Sequence, residues 1–363
     1  MRVALVHDWL VTMGGAERVL EEIATLFPDA PIYTGVVDRS RLSPFFQTRT
    51  IIPSFVQAFP RSHRWYNRYL PFLMYGMEQF DLSSYDLVIS SSSSIAKGVL
   101  TPASTRHISY VHSPMRYAWD LYHEYRDREA KGATRHVMGP VFHYLRMWDR
   151  LSADRVDVML ANSSAVQRRI QKHYRRDAEV IFPPVAVDRF QVVSHPGSFY
   201  LVLSRLVSYK RFDLAVKACN QLKLPLMVAG EGPERTSLEK MAGPTVKFLG
   251  WVDDNQAAQL MNEAKALIFP GEEDFGIIPV EAQAAGKPVI ALGRGGVLDT
   301  VIHEETGWLF QQQTVEALVQ AIDAAQNHEW DPARIRQNAE RFQPSVFREK
   351  FQARVLEAMK DLG

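Results

Sequence analysis

Short β-branched runs alternate with stretches of helical periodicity along the whole chain, and the alternation starts afresh near residue 199. Residues 2–7 read as a strand and 16–27 as an amphipathic helix. Residues 87–89, 108–111 and 158–160 read as further buried strands. After the restart, residues 199–203, 225–230, 246–249, 266–269 and 288–291 read as strands, with helical stretches such as 211–222 between them. A parallel return between strands needs a long crossover, which a helix supplies, so this pattern predicts parallel sheets covered by helices on both faces. Two such runs predict an α/β chain of two Rossmann-like, doubly wound domains, and 363 residues suffice for both. The join is placed around Pro183-Pro184 and His195-Pro196-Gly197, where chain-stiffening and turn-forming residues collect. Expected boundaries are 1–190 and 191–342, with a final amphipathic helix in 343–363. Ligands of open α/β sheets bind beyond the carboxyl ends of the strands, so the expected site is a cleft that the two domains face.

Composition narrows the function. The formal net charge is +1, which carries no global signal for nucleic acid. Residues 1–190 hold a mild excess of Lys and Arg, and the remainder a mild excess of Asp and Glu. The basic half suits an anionic acceptor or membrane surface, or is scatter. The single cysteine, Cys219, allows no internal disulfide and no cysteine-only metal cluster, and it falls in an apolar helical pattern. No run of about 20 apolar residues is present, and the opening residues read as a strand rather than a signal peptide. A cytoplasmic location fits this reading, with peripheral contact on the inner face of the plasma membrane as an extension of it.

Four constellations carry chemistry. Met13-Gly14-Gly15-Ala16-Glu17-Arg18 follows the first strand and opens the first helix. Glycines there let the backbone approach an anion beside free helical N–H groups, though a plain strand-to-helix loop has the same form. The motif lacks the G-x-G-x-x-G spacing of dinucleotide enzymes. In residues 203–211, Arg205 and Lys210 stand at a strand end and a helix start. Two cations so placed suit a leaving diphosphate, or form a solvated basic turn. Residues 273–281 put Glu273 and Glu281 eight apart around Phe275, Gly276, Ile277 and Ile278. That spacing suits two anchors along an extended nucleotide-sugar, with backbone N–H groups between them; the alternative is an acidic loop followed by a helix carboxylate. His112 follows a buried strand, where a neutral imidazole can donate to a sugar hydroxyl or, in a structural role, to a backbone carbonyl. Gly250 and Trp251 follow another strand and are placed to edge a base pocket, or are scaffold.

These motifs, with Asn162-Ser163, Gly230-Glu231-Gly232-Pro233 and residues 305–310, resemble the family-four retaining glycosyltransferases over nearly the whole length. The resemblance implies the GT-B fold, with the final helix crossing back onto the N-terminal domain. It implies that Glu273 binds donor-sugar hydroxyls, Glu281 the ribose, and Arg205 with Lys210 the diphosphate. Phe275, Gly276, Ile277 and Ile278 would offer N–H groups to sugar and phosphates. Gly14 and Gly15 would approach the phosphate, and His112 the donor sugar near the reaction centre. The stretch 111–120 is similar to bacterial surface-polysaccharide mannosyltransferases, which implies GDP-mannose as co-substrate and a glycan or lipid-linked saccharide as acceptor. Glu272 and Glu273 form a doubled acidic pair where many relatives carry glycine. The expected reaction is front-face displacement with retention, and no resident cofactor is expected. No Asp-x-Asp is present, so no metal is expected either. A UDP-sugar-dependent transferase, a sugar-nucleotide epimerase or phosphorylase, and a non-catalytic nucleotide-binding subunit are the alternatives. The interleaved basic and aromatic residues of 61–70, with 117–150, are expected either to rest on an anionic membrane or to pack as a helix face.

Overall fold

The computed structural model describes residues 1–123, 126, 134–193 and 197–360, with the side chains of 134–137 excepted. His195 and Pro196 of the expected join, most of 124–133 in the aromatic-basic stretch, and 361–363 of the final helix lie outside the described residues. The chain forms two units, Met1–Pro183 with Phe347–Gly363, and Pro184–Val346.

Among the described residues of the first unit, seven parallel strands form one sheet: β1 (Val3–His7), β2 (Ile32–Thr34), β3 (Ile51–Pro53), β4 (Leu87–Ser92), β5 (Arg106–Val111), β6 (Val158–Ala161) and β7 (Glu179–Val180). Their order is β3-β2-β1-β4-β5-β6-β7. β1 is buried throughout, as a strand with helices on both faces must be. Its alternate residues feed separate cores. Leu5 joins Ile23, Ile89 and Tyr110 on one face, whereas Val6 joins Val36, Met77 and Trp148 on the other. The last helix, Pro344–Lys360, sends Phe347, Phe351, Val355 and Ala358 into the Leu5 face. Their spacing of four, four and three makes one helical stripe, which ties the chain's final helix to the first unit's core.

The second unit has six parallel strands among the described residues: β8 (Tyr200–Leu203), β9 (Leu226–Ala229), β10 (Val246–Gly250), β11 (Ala266–Phe269), β12 (Val289–Leu292) and β13 (Gly307–Phe310), ordered β10-β9-β8-β11-β12-β13. The Phe212–Leu222 helix buries Leu214, Ala215, Ala218 and Cys219 against this sheet and the Val315–Gln326 helix. Burial pushes the Cys219 thiol up to about 12, so it behaves as a small apolar group. No helix of the described residues is long and apolar enough to cross a membrane.

Candidate functional site

Each sheet reverses its winding once; Arg205, Lys210, Glu273, Gly14 and Gly15 lie in loops beside those reversals, whereas Gly250 and Trp251 do not. In the second unit β8 and β11 are neighbours although β9 and β10 intervene in sequence. Such a switch point leaves a crevice where the two following loops part in opposite directions. The loop after β8 carries Ser204, Arg205 and Lys210, and the loop after β11 carries Gly271 and Glu273. Lys210 Nζ lies 2.6 Å from Glu273 Oε1 and donates to Ser204 Oγ at 2.5 Å. The ammonium is thereby held at the crevice instead of swinging on its stem.

Glycines hold these loops together. A Cβ on Gly271 would meet the Lys210 Cα at 2.7 Å, so only glycine lets the two backbones come this close. The Gly296 N–H donates to the Glu273 carbonyl at 2.9 Å, fixing the acidic turn from a third loop. Gly276, at φ 90°, caps the Ile277–Ala284 helix in the left-handed region, which favours glycine. The first amides of a helix, here those of Ile277 and Ile278, have no intrahelical acceptor. Phe275 is buried, with its ring centroid 5.5 Å from that of Phe342. Glu281 lies inside the same helix and is nearly buried.

Arg205 is exposed, and its guanidinium meets no acceptor among the described residues. Arg211 has one: it reaches Asp213 at 3.0 and 3.2 Å, so it is a structural cation. Gly250 and Trp251 follow β10, the edge strand two places from β8, and Trp251 is 73% exposed. The Gly250 carbonyl accepts from the Gly230 N–H at 2.7 Å, which binds that edge to the loop after β9.

In the first unit the reversal falls between β1 and β4. Gly14 precedes and Gly15 opens the Gly15–Leu26 helix that follows β1. His7 and Ser91 are register partners at the ends of these strands. His112 follows β5, and by strand alternation shares their face. His7 Nδ1 stands 3.1 Å from Ser91 Oγ, and Ser91 Oγ 2.8 Å from His112 Nε2. On the other side, His7 Nε2 is 3.6 Å from Glu17 Oε1. Burial first, and then the neighbouring His7, push His112 down to about 3, so its imidazole is neutral at neutral pH. The next residue, Ser113, is buried with its hydroxyl unpartnered among the described residues.

On the opposite face, the Asp8 carboxylate accepts from the backbone N–H groups of Ser93, Ile95 and Ala96 at 2.6–2.7 Å. Nearby, Lys97 and Asp149 form a buried ion pair, and Asp149 also accepts from Trp119 at 2.7 Å and Tyr174 at 2.9 Å.

Sequence reasoning named Lys210, Glu273 and His112 but not the partners Ser204, His7 and Ser91. The closing histidine of the first strand and the serine run 90–94 were the available signals for the latter two. Among the described residues, no group of three or more His, Cys, Asp or Glu stands placed to hold a metal ion.

Two family models cover most of the chain. The model for Glycosyltransferase Family 4 matches residues 13–189, and that for Glycosyl transferases group 1 matches residues 187–342. The sequence is 26% identical over 353 residues to the alpha-1,3/1,6-mannosyltransferase ALG2 of Mus musculus, spanning 84% of this chain and 82% of that protein. The structure resembles HepE of Anabaena in complex with UDP-glucose, with a TM-score of 0.70 and 18% identity over 98% of this chain and 100% of the other. It also resembles sucrose-phosphate synthase from Thermosynechococcus elongatus, with a TM-score of 0.74 and 17% identity over 99% and 100%. At such identities these structures share the two-domain α/β fold.

Proposed function

The chain belongs to the family-four glycosyltransferases of GT-B fold and is a hexosyltransferase, and from that premise we propose that it moves mannose from GDP-mannose to a glycan or lipid-linked saccharide with retention at the anomeric carbon. The observation that carries this is the Lys210–Glu273 pair at the switch point of the second sheet. A fixed cation, the exposed Arg205 and the helix-start amides of Ile277 and Ile278 suit a diphosphate, and Glu273 suits the hydroxyls of the attached sugar. Glu281, further along the same helix, takes the ribose in this reading.

The reaction is a front-face displacement. The bond from the anomeric carbon to the phosphate oxygen breaks as the acceptor oxygen bonds to that carbon on the same face. The acceptor's proton passes to the departing phosphate oxygen. No protein nucleophile takes part. The chain's contribution is positioning, which supplies roughly 7–11 kcal/mol in favourable cases, and charge stabilisation, at about 3 kcal/mol per preorganised donor. In this reading Gly14 and Gly15 approach the phosphate and His112 meets the sugar.

Mannose and guanosine are favoured by the similarity to a named mannosyltransferase and by residues 111–120. The test is a screen of GDP-mannose, UDP-glucose and related donors against saccharide acceptors, with product anomers read by NMR. An α-mannoside made from GDP-mannose is expected. Exclusive use of a UDP-sugar, or an inverted product, would overturn the donor or the stereochemistry respectively.

A lipid-linked acceptor is supported by the surface of the first unit. The Leu70–Glu78 helix exposes Phe72 and Tyr75, and Arg61, Arg64 and Arg68 are exposed just before it. The Thr134–Ala153 helix exposes Val141, Tyr144, Met147 and Leu151, which fall on one helical stripe. Apolar stripes with flanking cations bind anionic interfaces. Flotation with anionic but not neutral vesicles is expected, and indifference to lipid charge would remove the membrane from this reading.

A further inference from the structure

The Ser91 hydroxyl has one proton to donate and sits between two ring nitrogens, His7 Nδ1 at 3.1 Å and His112 Nε2 at 2.8 Å. Only one nitrogen receives that proton, and the other must itself carry a proton and donate to Oγ. The choice is made at the far end. The nearly buried Glu17 carboxylate lies 3.6 Å from His7 Nε2 and favours a proton there. With its proton on Nε2, His7 has a bare Nδ1 that accepts from Ser91. Ser91 must then accept from His112 Nε2–H. The His112 Nδ1 is left as a lone pair, with no partner among the described residues.

Resting on the transferase reading, we propose that Glu17, His7 and Ser91 are positioning residues that hold His112 in the Nε2–H tautomer, so that its Nδ1 accepts a hydrogen bond from a sugar hydroxyl. The direction differs from a simple expectation of His112 as a donor, because the Nε2 proton is committed to Ser91.

The surroundings favour a single arrangement. His7 and Ser91 are fixed by strand register, and the parent strands are buried. Tyr110 stands edge-on to the His112 ring, 5.2 Å between centroids, but its hydroxyl is spent on the Ile181 carbonyl at 2.8 Å and does not compete. Gly14 leaves room for the carboxylate, since a Cβ there would lie 3.0 Å from Glu17 Oε2. The glycine turn thus serves the array as well as any phosphate.

The experiment is ¹⁵N NMR of histidine-labelled full-length enzyme at about pH 8, above the ordinary histidine range, with the His112 signals assigned from a His112→Gln spectrum. The Nε2–H form is expected to dominate in the parent. Ser91→Ala removes the bridge, and Glu17→Met removes the carboxylate without touching His112. Both should raise the Nδ1–H form to a comparable population. Both should also lower kcat/KM by roughly tenfold, the size of one neutral hydrogen bond. Signal dispersion reports folding, and if one variant fails to fold the parent spectrum and the other variant still decide. A parent in the Nδ1–H form, or a folded variant with an unchanged tautomer, overturns the proposal. The tautomer is read without substrate. An inactive enzyme with the expected tautomer would therefore sink the transferase reading alone, and full transfer with the wrong tautomer would sink this inference alone.

Discussion

Lys210 Nζ sits 2.6 Å from Glu273 Oε1, and the two residues leave adjacent strands on either side of the point where the second sheet reverses. The pair is partly buried, with side-chain exposures of 12% and 23%. Each partner holds the other in place, so a diphosphate and a sugar bound as proposed would meet prearranged groups. Lys210→Ala should therefore cost about 10²–10³ in kcat, the loss seen for one preorganised donor. Lys217 is the control. It is half-exposed on the Phe212–Leu222 helix and pairs with Asp213 at 3.6 Å. Lys217→Ala should change kcat/KM by less than about twofold, since exposed pairs contribute little. Steady-state kinetics on both variants decide, and equal losses would remove Lys210 from the phosphate site.

In the proposed reaction Arg205 and Lys210 neutralise the diphosphate, which bears on metal dependence. A transferase that leaves the diphosphate charge to a divalent cation needs carboxylates to hold that cation. This sequence carries no Asp-x-Asp, and the Glu273 carboxylate pairs with Lys210. Transfer is expected to proceed unchanged in excess EDTA. Activity lost in chelator and regained with Mn²⁺ or Mg²⁺ would assign the leaving group to a metal.

Much of this arrangement was readable from the residues, and the unreadable part has a common cause. β1, β4, β5, β8, β11 and β12 are buried on both faces, so they stand out as apolar, β-branched runs. β2 and β3 have three residues each and β7 has two, too short for a hydrophobic period to develop. Lys210 and Glu273 announce themselves as charges after apolar strands, but their meeting depends on the order β8-β11, which no local pattern encodes. The same holds for His7, Ser91 and His112, which strand register alone brings together. Asp149 lies within an amphipathic helix and reads there as an ordinary surface acid, yet the fold buries it against Lys97.

That buried pair makes a stability prediction. Lys97 and Asp149 are 2% and 0% exposed, and Trp119 and Tyr174 donate to the same carboxylate. Removing one partner leaves an uncompensated charge in an apolar core. Lys97→Met should destabilise the first unit by about 3–5 kcal/mol in urea denaturation. Adding Asp149→Asn removes the stranded charge and keeps acceptor capacity for Trp119 and Tyr174. The double variant should regain roughly half of that loss, because an apolar or neutral replacement of a buried pair is often tolerated. A double variant no better than the single would mean that the cluster is held by its hydrogen bonds rather than by its charges.

The last prediction concerns acid. His107 is fully buried on β5, and its Nε2 meets Ser90 Oγ at 2.9 Å. Burial pushes it down to about 4, against a weaker opposing pull from Asp157. In the unfolded chain the ring takes up a proton near its ordinary value of about 6.5. Above that pH neither state is protonated and the contribution is fully present. As pH falls from about 6.5 to 4, the unfolded chain binds a proton that the folded chain refuses, so stability drops by about 1.4 kcal/mol per pH unit. His112, pushed down to about 3, acts in the same direction. Carboxylates held low in the fold, such as Asp120 beside His173, lose their contribution only as pH falls below the ordinary carboxylate range. The two effects occupy different windows. Urea midpoints measured at intervals from pH 7 to 4.5 should fall steadily, and His107→Phe, which keeps an apolar ring in the same space, should flatten that slope. An unchanged slope in the variant would assign the acid sensitivity to other groups.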